Sequence, residues 1–333
     1  DSLHHLLEPG GMPWFFSGCT HEEACNYVPA ADDDDGSCYY PLLGEDCDGN
    51  LIDEGISSET HSVARIWNEV VLHGVRHDWA RPTIHARNLW HSSLLMYDAW
   101  AAWEPDTLGA PQLYFLGDTL AGFACTFEGV ETPATAADRR AAQEATISYG
   151  VARLIQHRFS DAPQAEVILA EVVNRMQDLG YDLAFESTDY ATGSLATDAA
   201  ALGNYLAQQI IAFGLQDGSH EELNYANTYY NAINWFLVMD EPGNPNLDHP
   251  NNWQPLQLQE FIDQSGNPIS GANLEFLSPE WGDVVPFSLQ AEDLSVFERF
   301  GAQYQVYHDP GPPPYIDPDV PTEFDSDYKW GHT

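Results

Sequence analysis

The chain has 333 residues, of which 44% are hydrophobic, and its 10 Trp, 16 Tyr and 15 Phe can fill a large core. This composition excludes a globally disordered chain, and the lack of an apolar run of about 18 residues predicts no membrane span. Asp and Glu number 52 against 11 Lys and Arg, a net charge of −41, which excludes nucleic acid and anionic lipid as partners. We expect most of this charge to form a solvated acidic coat, with calcium binding restricted to one short segment.

Residues 1 to about 56 differ in composition from the rest and are predicted to form a small module. They hold four of the five cysteines, which are Cys19, Cys25, Cys38 and Cys47. Because no C-x2-C pair indicates a metal cluster, we interpret these four as disulfide-bonded, which favours a secreted, periplasmic or cell-surface location. Four cysteines allow three pairings, and the sequence does not choose among them. The fifth, Cys125, is interpreted as a buried apolar thiol.

Oxygen-bearing side chains in this module are spaced as calcium ligands would be. The candidate ligands are Asp33, Asp35, Asp46, Asp48, Asn50 and Asp53. Oxygen donors at alternate positions of a glycine-containing loop can wrap a hard cation. The match to the twelve-residue helix–loop–helix pattern is incomplete, because no Glu stands at its last position. Two interpretations stay open, a calcium-stapled module and a solvated acidic turn.

The stretch GCTHEEACNYVPAADDDDGSCYYP, followed by GEDCDGN, resembles the short cysteine- and aspartate-rich repeats of secreted proteins from marine Bacteroidetes. The likeness covers residues 18–50, and the repeats usually carry Cys where Leu51 stands here. The resemblance implies a spacer or attachment piece with no chemistry of its own.

From residue 57 onward, apolar residues recur at helical spacing and predict a mainly α fold, a helical bundle. The first predicted helix follows caps at residues 57–60 and ends near His77, and the others cover about 82–104, 135–159, 163–180 and 194–215. Pro82 suits the first position of the second helix. That helix is apolar on nearly every face, so we expect it to be buried.

After residue 220 the helical pattern fades, and a long irregular C-terminal wrap is predicted. Residues 224–239 are expected to form a short helix or a buried run, and 260–271 a turn between two short strands. Residues 288–300 are predicted to form one more helix, and the proline-rich stretch 309–321 no regular structure. The expected organisation is a disulfide-linked, calcium-stapled module at 1–56 and a helical domain at 57–333.

Three polar residues of the second helix, Arg87, His91 and Asp98, fall on one side of a helical wheel. Burying a charged Arg and Asp is costly unless each is paired, and the two are too far apart along the axis to pair directly. We interpret the three as a buried polar network that fixes helix packing, with partners on neighbouring helices. The alternative is an anion or proton-transfer site. No catalytic residue is assigned, because no recognised catalytic set appears.

His73 and His77 stand four residues apart on the first predicted helix and have the spacing of a metal-binding pair. No HExxH motif accompanies them. We interpret them as solvated or capping histidines.

The run SVARIWNEVVLHGVRHDWARPTIHARNLWHSSLLMYDAWAAWEP resembles the N-terminal helical region of bacterial vanadium-dependent haloperoxidase-like proteins, in the superfamily that includes type 2 phosphatidic acid phosphatases. The stretches ALGNYLAQQIIAFGLQDGSHEELNY, NWQPLQLQEFIDQSGNPI and FLSPEWGDVVPF fit in the same order, so the likeness covers about residues 60–333. It implies a helical bundle that holds vanadate and oxidises halide with peroxide. Arginines and a lysine would neutralise the oxyanion, one His would bind the metal and another would transfer a proton.

The oxyanion motifs of that family, Lys-x6-Arg-Pro, Pro-Ser-Gly-His and Ser-Arg followed by His, are missing from the sequence. The one Arg-Pro pair, Arg81-Pro82, has Gly74 where the lysine would stand; the one lysine is Lys329, and Gly331-His332 is only a fragment of a motif. Vanadate is therefore implied for the family but not expected to bind to this chain alone.

We expect the N-terminal scaffold part of a longer secreted haloperoxidase-like protein, inactive by itself, whose catalytic region lies beyond Thr333 or in a partner chain. A homo-oligomer is a further expectation. A degenerate relative that never had the oxyanion site is the other account of the missing motifs. The alternative functions are a non-enzymatic, calcium-stabilised cell-surface or assembly module and an acid-phosphatase-like hydrolase.

Overall fold

The computed structural model describes residues 17–22, 24–38, 61–107, 109–238, 242–257, 261–262, 268–269, 276–299 and 302–307. The chain divides into two units, Asp1–His61 and Ser62–Thr333.

A disulfide and a strand pair organise the described part of the first unit. β1 (Ser17–Gly18) runs parallel to β2 (Asp33–Asp34), and the completely buried Cys19 is bonded to Cys38. Cys25 is also disulfide-bonded, whereas Cys47 lies outside the described residues. A covalent link of this kind stabilises a segment too short to bury much apolar surface.

Five α-helices form the described body of the second unit. Their bounds are α1 (Val63–Arg76), α2 (Pro82–Ala101), α3 (Ala136–Arg158), α4 (Ala165–Asp178) and α5 (Leu195–Gly214). The Ser62 hydroxyl accepts the Arg65 N–H at the start of α1, and the Thr135 hydroxyl accepts the Asp138 N–H at the start of α3. These caps satisfy backbone donors that have no partner within the helix. The described residues are helix-rich, and this part of the fold prediction is confirmed.

The core of the second unit lies around α3, which packs against all four other helices and most closely against α5. Two fully buried tryptophans are anchored on this helix. The indole N–H of Trp67 donates to Ser148 Oγ at 2.9 Å, and that of Trp103 donates to Thr146 Oγ1 at 2.8 Å. A buried indole needs such an acceptor, so these hydroxyls allow large aromatic rings to fill the core.

Glycines bring the backbones of α3 and α5 into direct contact. A Cβ at Gly203 of α5 would collide with the carbonyl oxygen of Thr146 and lie 2.9 Å from Tyr149 Cβ. A Cβ at Gly150 of α3 would lie 2.7 Å from Leu95 Cδ2. Both distances are shorter than a normal van der Waals contact, so only glycine fits at this crossing.

Short strand pairs complete the described part of the second unit. They are β3 (Thr119–Leu120) with β4 (Phe123–Ala124), β5 (Leu237–Val238) with β6 (Leu256–Gln257), β7 (Phe261–Ile262) with β8 (Pro268–Ile269), and β9 (Ser295–Arg299) with β10 (Ala302–Val306). The β5–β6 pair is parallel and the other three are antiparallel. The β7–β8 pair confirms the two short strands that were predicted within 260–271, whereas the predicted turn at 263–267 lies outside the described residues.

The prediction of a helix over residues 288–300 is wrong. A 3₁₀ turn at Ala291–Asp293 precedes β9, which pairs with β10 in register so that Phe297 lies opposite Tyr304. All five residues of β9 have backbone partners on β10, so a hairpin forms here in place of an isolated helix.

The prediction of a short helix or buried run at 224–239 is also wrong over the described residues. Tyr229 and Trp235 are exposed, and the stretch reaches β5 as irregular chain. The buried amide of Asn234 donates to the carbonyl oxygens of His249 and Asn252. Side-chain bonds to the backbone replace the helical hydrogen bonds here.

Cys125 is buried and makes no disulfide, which agrees with its interpretation as an apolar thiol. Burial raises the pKa of this thiol to about 11, so it is protonated and unreactive near neutral pH.

Among the described residues, no helix is both long and apolar enough to cross a membrane.

Candidate functional site: a buried arginine and carboxylate network

Two arginines and two carboxylates meet in the interior of the second unit. With His91, the residues Arg87, Arg158, Asp217 and Glu221 form a cluster that we name the arginine network. Each of these side chains is at most 5% exposed, and those of His91 and Asp217 are completely buried. Charged side chains are rarely so deeply buried unless they are paired. We therefore consider the arginine network the candidate functional site.

Arg87 of α2 makes the central contacts of the network. Its Nε donates to Asp217 Oδ2 at 2.6 Å, and its Nη2 donates to Glu221 Oε2 at 2.6 Å and to the carbonyl oxygen of Gly214 at 3.0 Å. Burial alone would lower the pKa of Arg87, but the charges of Asp217 and Glu221 outweigh burial and raise it. Arg87 is therefore held as a cation by two acids that follow α5.

Arg158, the last residue of α3, reaches the network from the other side. Its Nε lies 2.8 Å from Glu221 Oε1, its Nη1 donates to Asn88 Oδ1 at 2.9 Å, and its Nη2 donates to His91 Nδ1 at 2.8 Å. Burial, followed by repulsion from Arg87, lowers the pKa of Arg158. The guanidinium bridges α2, α3 and the segment after α5.

His91 is held neutral. Burial lowers its pKa well below the usual value, and the nearby charges of Arg158 and Arg87 act in the same direction. Since Nδ1 accepts from Arg158, the proton of the neutral ring is on Nε2, which lies 3.8 Å from Asp217 Oδ2. A neutral histidine in this tautomer orients Arg158 but offers no free lone pair for a metal or a proton.

Glu221 completes the charge balance. Burial would raise its pKa, but a hydrogen bond with His157 and the charges of Arg158 and Arg87 outweigh burial and bring the pKa to about 2. The network thus sets two guanidinium groups against two carboxyl groups.

The backbone around Glu221 is strained. His220, Asn224 and Tyr225 have φ angles of 58°, 53° and 62°, in the left-handed region that L-residues seldom adopt. The Tyr225 ring faces both Arg81 and Arg87, with guanidinium carbons 5.4 and 5.9 Å from its centroid. Cation–π contacts of this kind and the ion pairs hold the strained segment in place.

The network leaves little room for a ligand. The cavity beside Arg158, Asn88 and Ser92 has a volume of about 10 Å³, roughly the space of a single water molecule. An open groove of about 630 Å³ elsewhere on the second unit is lined by Glu128, Glu131 and Asp138. These acidic walls would repel an oxyanion.

Asp98, predicted together with Arg87 and His91, lies outside the arginine network. Its Oδ1 accepts the N–H of Tyr114, and its Oδ2 accepts those of Phe115 and Leu116, all at 2.8 Å. Burial raises the pKa of Asp98, against the opposing effect of these three donors. Arg87 and Asp98 stand eleven positions apart, which corresponds to about 16 Å of helix, so the two charges have separate partners.

Sequence reasoning missed Arg158, Asp217 and Glu221. Arg158 follows an apolar run that includes Leu154 and Ile155, and a cation at the end of a buried helix face signals a hidden anion. The acids are not marked in this way, because they stand among many others in an acidic chain.

The predicted calcium ligands are only partly described. Asp33 and Asp35 are exposed, and Asp35 Oδ1 accepts the Ser37 N–H at 2.9 Å. Asp46, Asp48, Asn50 and Asp53 lie outside the described residues. Within the described ranges, no group of three or more His, Cys, Asp or Glu side chains is placed to hold a metal ion.

The arrangement of the network, two arginines neutralised by two carboxylates of the same chain, is suited to joining helices. Within the part of the chain that the structure describes, Arg87 and Arg158 are each in contact with a carboxylate of the network. Comparison with known proteins adds no identification, since no protein-family model and no curated protein sequence matches the chain.

Proposed function

We propose that the second unit is the non-catalytic scaffold part of a secreted, vanadium-dependent haloperoxidase-like protein. The sequence resemblance over residues 60–333 supports the family, and the missing Lys, Arg and His motifs support the lack of catalysis. Halide oxidation would then require an oxyanion site supplied by a further polypeptide segment or a partner chain. The scaffold would have the form of a helical bundle.

One observation carries the proposal: both buried arginines are already neutralised within the chain. Arg87 and Arg158 contact Asp217 and Glu221 at 2.6–2.8 Å, and the adjoining cavity of about 10 Å³ is too small for a tetrahedral oxyanion. A vanadate site needs cations that lack internal partners and a space of ligand size. The network instead ties α2, α3 and the segment after α5 together.

The test is a bromination assay with vanadate, bromide and hydrogen peroxide on the purified chain, alongside calorimetric titration with vanadate. We expect no bromination above the protein-free reaction and no heat of vanadate binding. Vanadate-dependent turnover would contradict the proposal. The variant Arg81→Gln tests whether such turnover depends on Arg81-Pro82, the one Arg-Pro pair in the sequence.

For the first unit we propose a secreted spacer or attachment module stapled by disulfides and calcium. The Cys19–Cys38 disulfide supports an oxidising compartment, and the aspartate-rich sequence after it supports calcium. Calorimetry with calcium and thermal melts with and without chelator test this. We expect a heat of binding that the double variant Asp46→Asn/Asp48→Asn abolishes and that Asp106→Asn, an exposed change in the second unit, leaves intact. An unchanged melting temperature on chelation would contradict it.

A further inference from the structure

The C-terminal turn of α1 carries two half-buried histidines that the proposed function does not use. His73 and His77 stand four residues apart on one face of the helix, and their ring centroids are 4.2 Å apart. This spacing allows two imidazoles to share one ligand. α1 itself packs against α4.

The hydrogen bonds of His77 prepare one of its nitrogens for coordination. Its Nδ1 lies 2.9 Å from the carbonyl oxygen of His73. A carbonyl oxygen only accepts, so Nδ1 carries the proton and Nε2 carries the lone pair. Metal-binding histidines are commonly oriented in this way, with the second nitrogen donating to a backbone carbonyl.

His73 has an unused nitrogen beside this pair. Its Nε2 is buried and has no hydrogen-bond partner among the described residues. A buried polar atom with no partner is costly, and a bound ligand would remove that cost.

The surroundings tolerate a dication. Glu171 of α4 and Glu69 of α1 act electrostatically on His73, and each is paired with an arginine, Arg175 and Arg76 respectively. The two pairs leave no excess positive charge to repel a metal. The carbonyl groups at the C-terminus of α1 also favour a cation.

We propose that His73 and His77 form a two-histidine binding site for a first-row transition-metal dication such as Zn²⁺ or Cu²⁺. Imidazole nitrogens select such ions over Ca²⁺ and Mg²⁺, which prefer oxygen. Water molecules complete the coordination shell, since two protein ligands leave the other positions open. The site is independent of the oxyanion chemistry that the haloperoxidase-like resemblance implies.

Calorimetric titration of the full chain with Zn²⁺ tests the proposal, after treatment with chelator and in excess Ca²⁺ that occupies the surface carboxylates. We expect a site that His77→Asn and His73→Gln each weaken by more than about tenfold. His249→Ala, a change at an exposed histidine, serves as the matched control and leaves the affinity unchanged. Equal Zn²⁺ affinity in the wild type and in His77→Asn would overturn the proposal.

Electron paramagnetic resonance of the Cu²⁺-loaded protein gives a readout that altered stability does not mimic. The wild type should show hyperfine coupling to two imidazole nitrogens, and His77→Asn to one. Coupling to two nitrogens in the variant, or to none in the wild type, would overturn the assignment.

Discussion

Arg87 and Asp98 show two different ways of burying a charge on the same helix. Arg87 pairs with carboxylates 130 and 134 residues further along the chain, so its environment exists only after distant segments have come together. Asp98 is solvated by backbone N–H groups 16–18 residues away, in the segment that directly follows α2. One charge is compensated by other charges, and the other by peptide dipoles.

The two charges differ in what their removal leaves behind in the interior. Removal of one member of the arginine network leaves a full buried charge without its counterion. Removal of the Asp98 charge leaves neutral N–H groups, which cost less to leave unpaired. Both devices are structural, and they should respond differently to mutation, pH and salt.

The largest expected effect is that of Glu221→Gln. The substitution leaves Arg158 and Arg87 with a single carboxylate, Asp217, and we expect it to lower the free energy of unfolding by about 3–5 kcal/mol. Urea denaturation monitored by circular dichroism measures the change. Glu222→Gln, an exposed neighbour in the same 3₁₀ turn, is the matched control and should cost less than about 0.5 kcal/mol. Equal losses in the two variants would refute the role of the network.

Asp98→Asn should have a smaller effect, a loss of about 1–3 kcal/mol. The amide keeps one accepting oxygen but turns an NH₂ group toward a backbone donor. Burial of the charged carboxylate is unfavourable and raises the pKa of Asp98. The neutral amide avoids this penalty, which offsets part of the cost. Urea denaturation again provides the measurement, with the exposed Asp106→Asn as its control. If Asp98→Asn proved as costly as Glu221→Gln, the distinction between the two devices would fail.

The contributions of Glu221 and Asp98 to the free energy of unfolding should change in opposite directions as the pH falls. Glu221 has a folded pKa of about 2 against an ordinary value of 4.5, so its contribution is complete above pH 4.5 and is lost as the pH falls toward 2. Asp98 has a raised pKa, so its ionised form weakens the fold and acidification relieves that penalty.

Unfolding free energies between about pH 5 and 3 measure this difference. The advantage of the wild type over Glu221→Gln should shrink as the pH falls, by up to about 1.4 kcal/mol per unit of pKa difference. Its advantage over Asp98→Asn should grow over the same range. Parallel curves for the two variants would contradict the assigned charge states.

Salt should produce the smallest effect. Buried ion pairs are screened far less than exposed charges, so the stability difference between the wild type and Glu221→Gln should stay constant within about 0.5 kcal/mol from low to about 1 M NaCl. The wild type itself, with a net charge of −41, should become more stable as salt screens its self-repulsion. A strong salt dependence of the difference would show that the network is solvated.

The helices could be predicted from the sequence because each buries one face or is capped locally. The Ser62 and Thr135 caps and Pro82 at the start of α2 act within a single helical turn, so their effect is visible in neighbouring residues. For residues 288–300, the same reliance on local signals gives a wrong prediction. Their apolar spacing fits a helix, while the pairing of Phe297 with Tyr304 depends on a second strand.

The candidate site was only half predictable. Arg87 and His91 stand out because they are polar on an apolar helix, and the structure brings them together. Asp98 stands out for the same reason and has other partners. Asp217 and Glu221 could not be selected from among 52 acidic residues, because their role is set by long-range packing.

The glycine crossing of α3 and α5 has a consequence for how the molecule opens. With Gly203 and Gly150 in backbone contact, neither helix can slide past or separate from the other by small steps. The amide protons of both helices should therefore exchange with solvent only when the whole second unit unfolds, and in a single cooperative step. Hydrogen exchange should show the slowest protons clustered at this crossing, with those of the segment after residue 224 released much earlier.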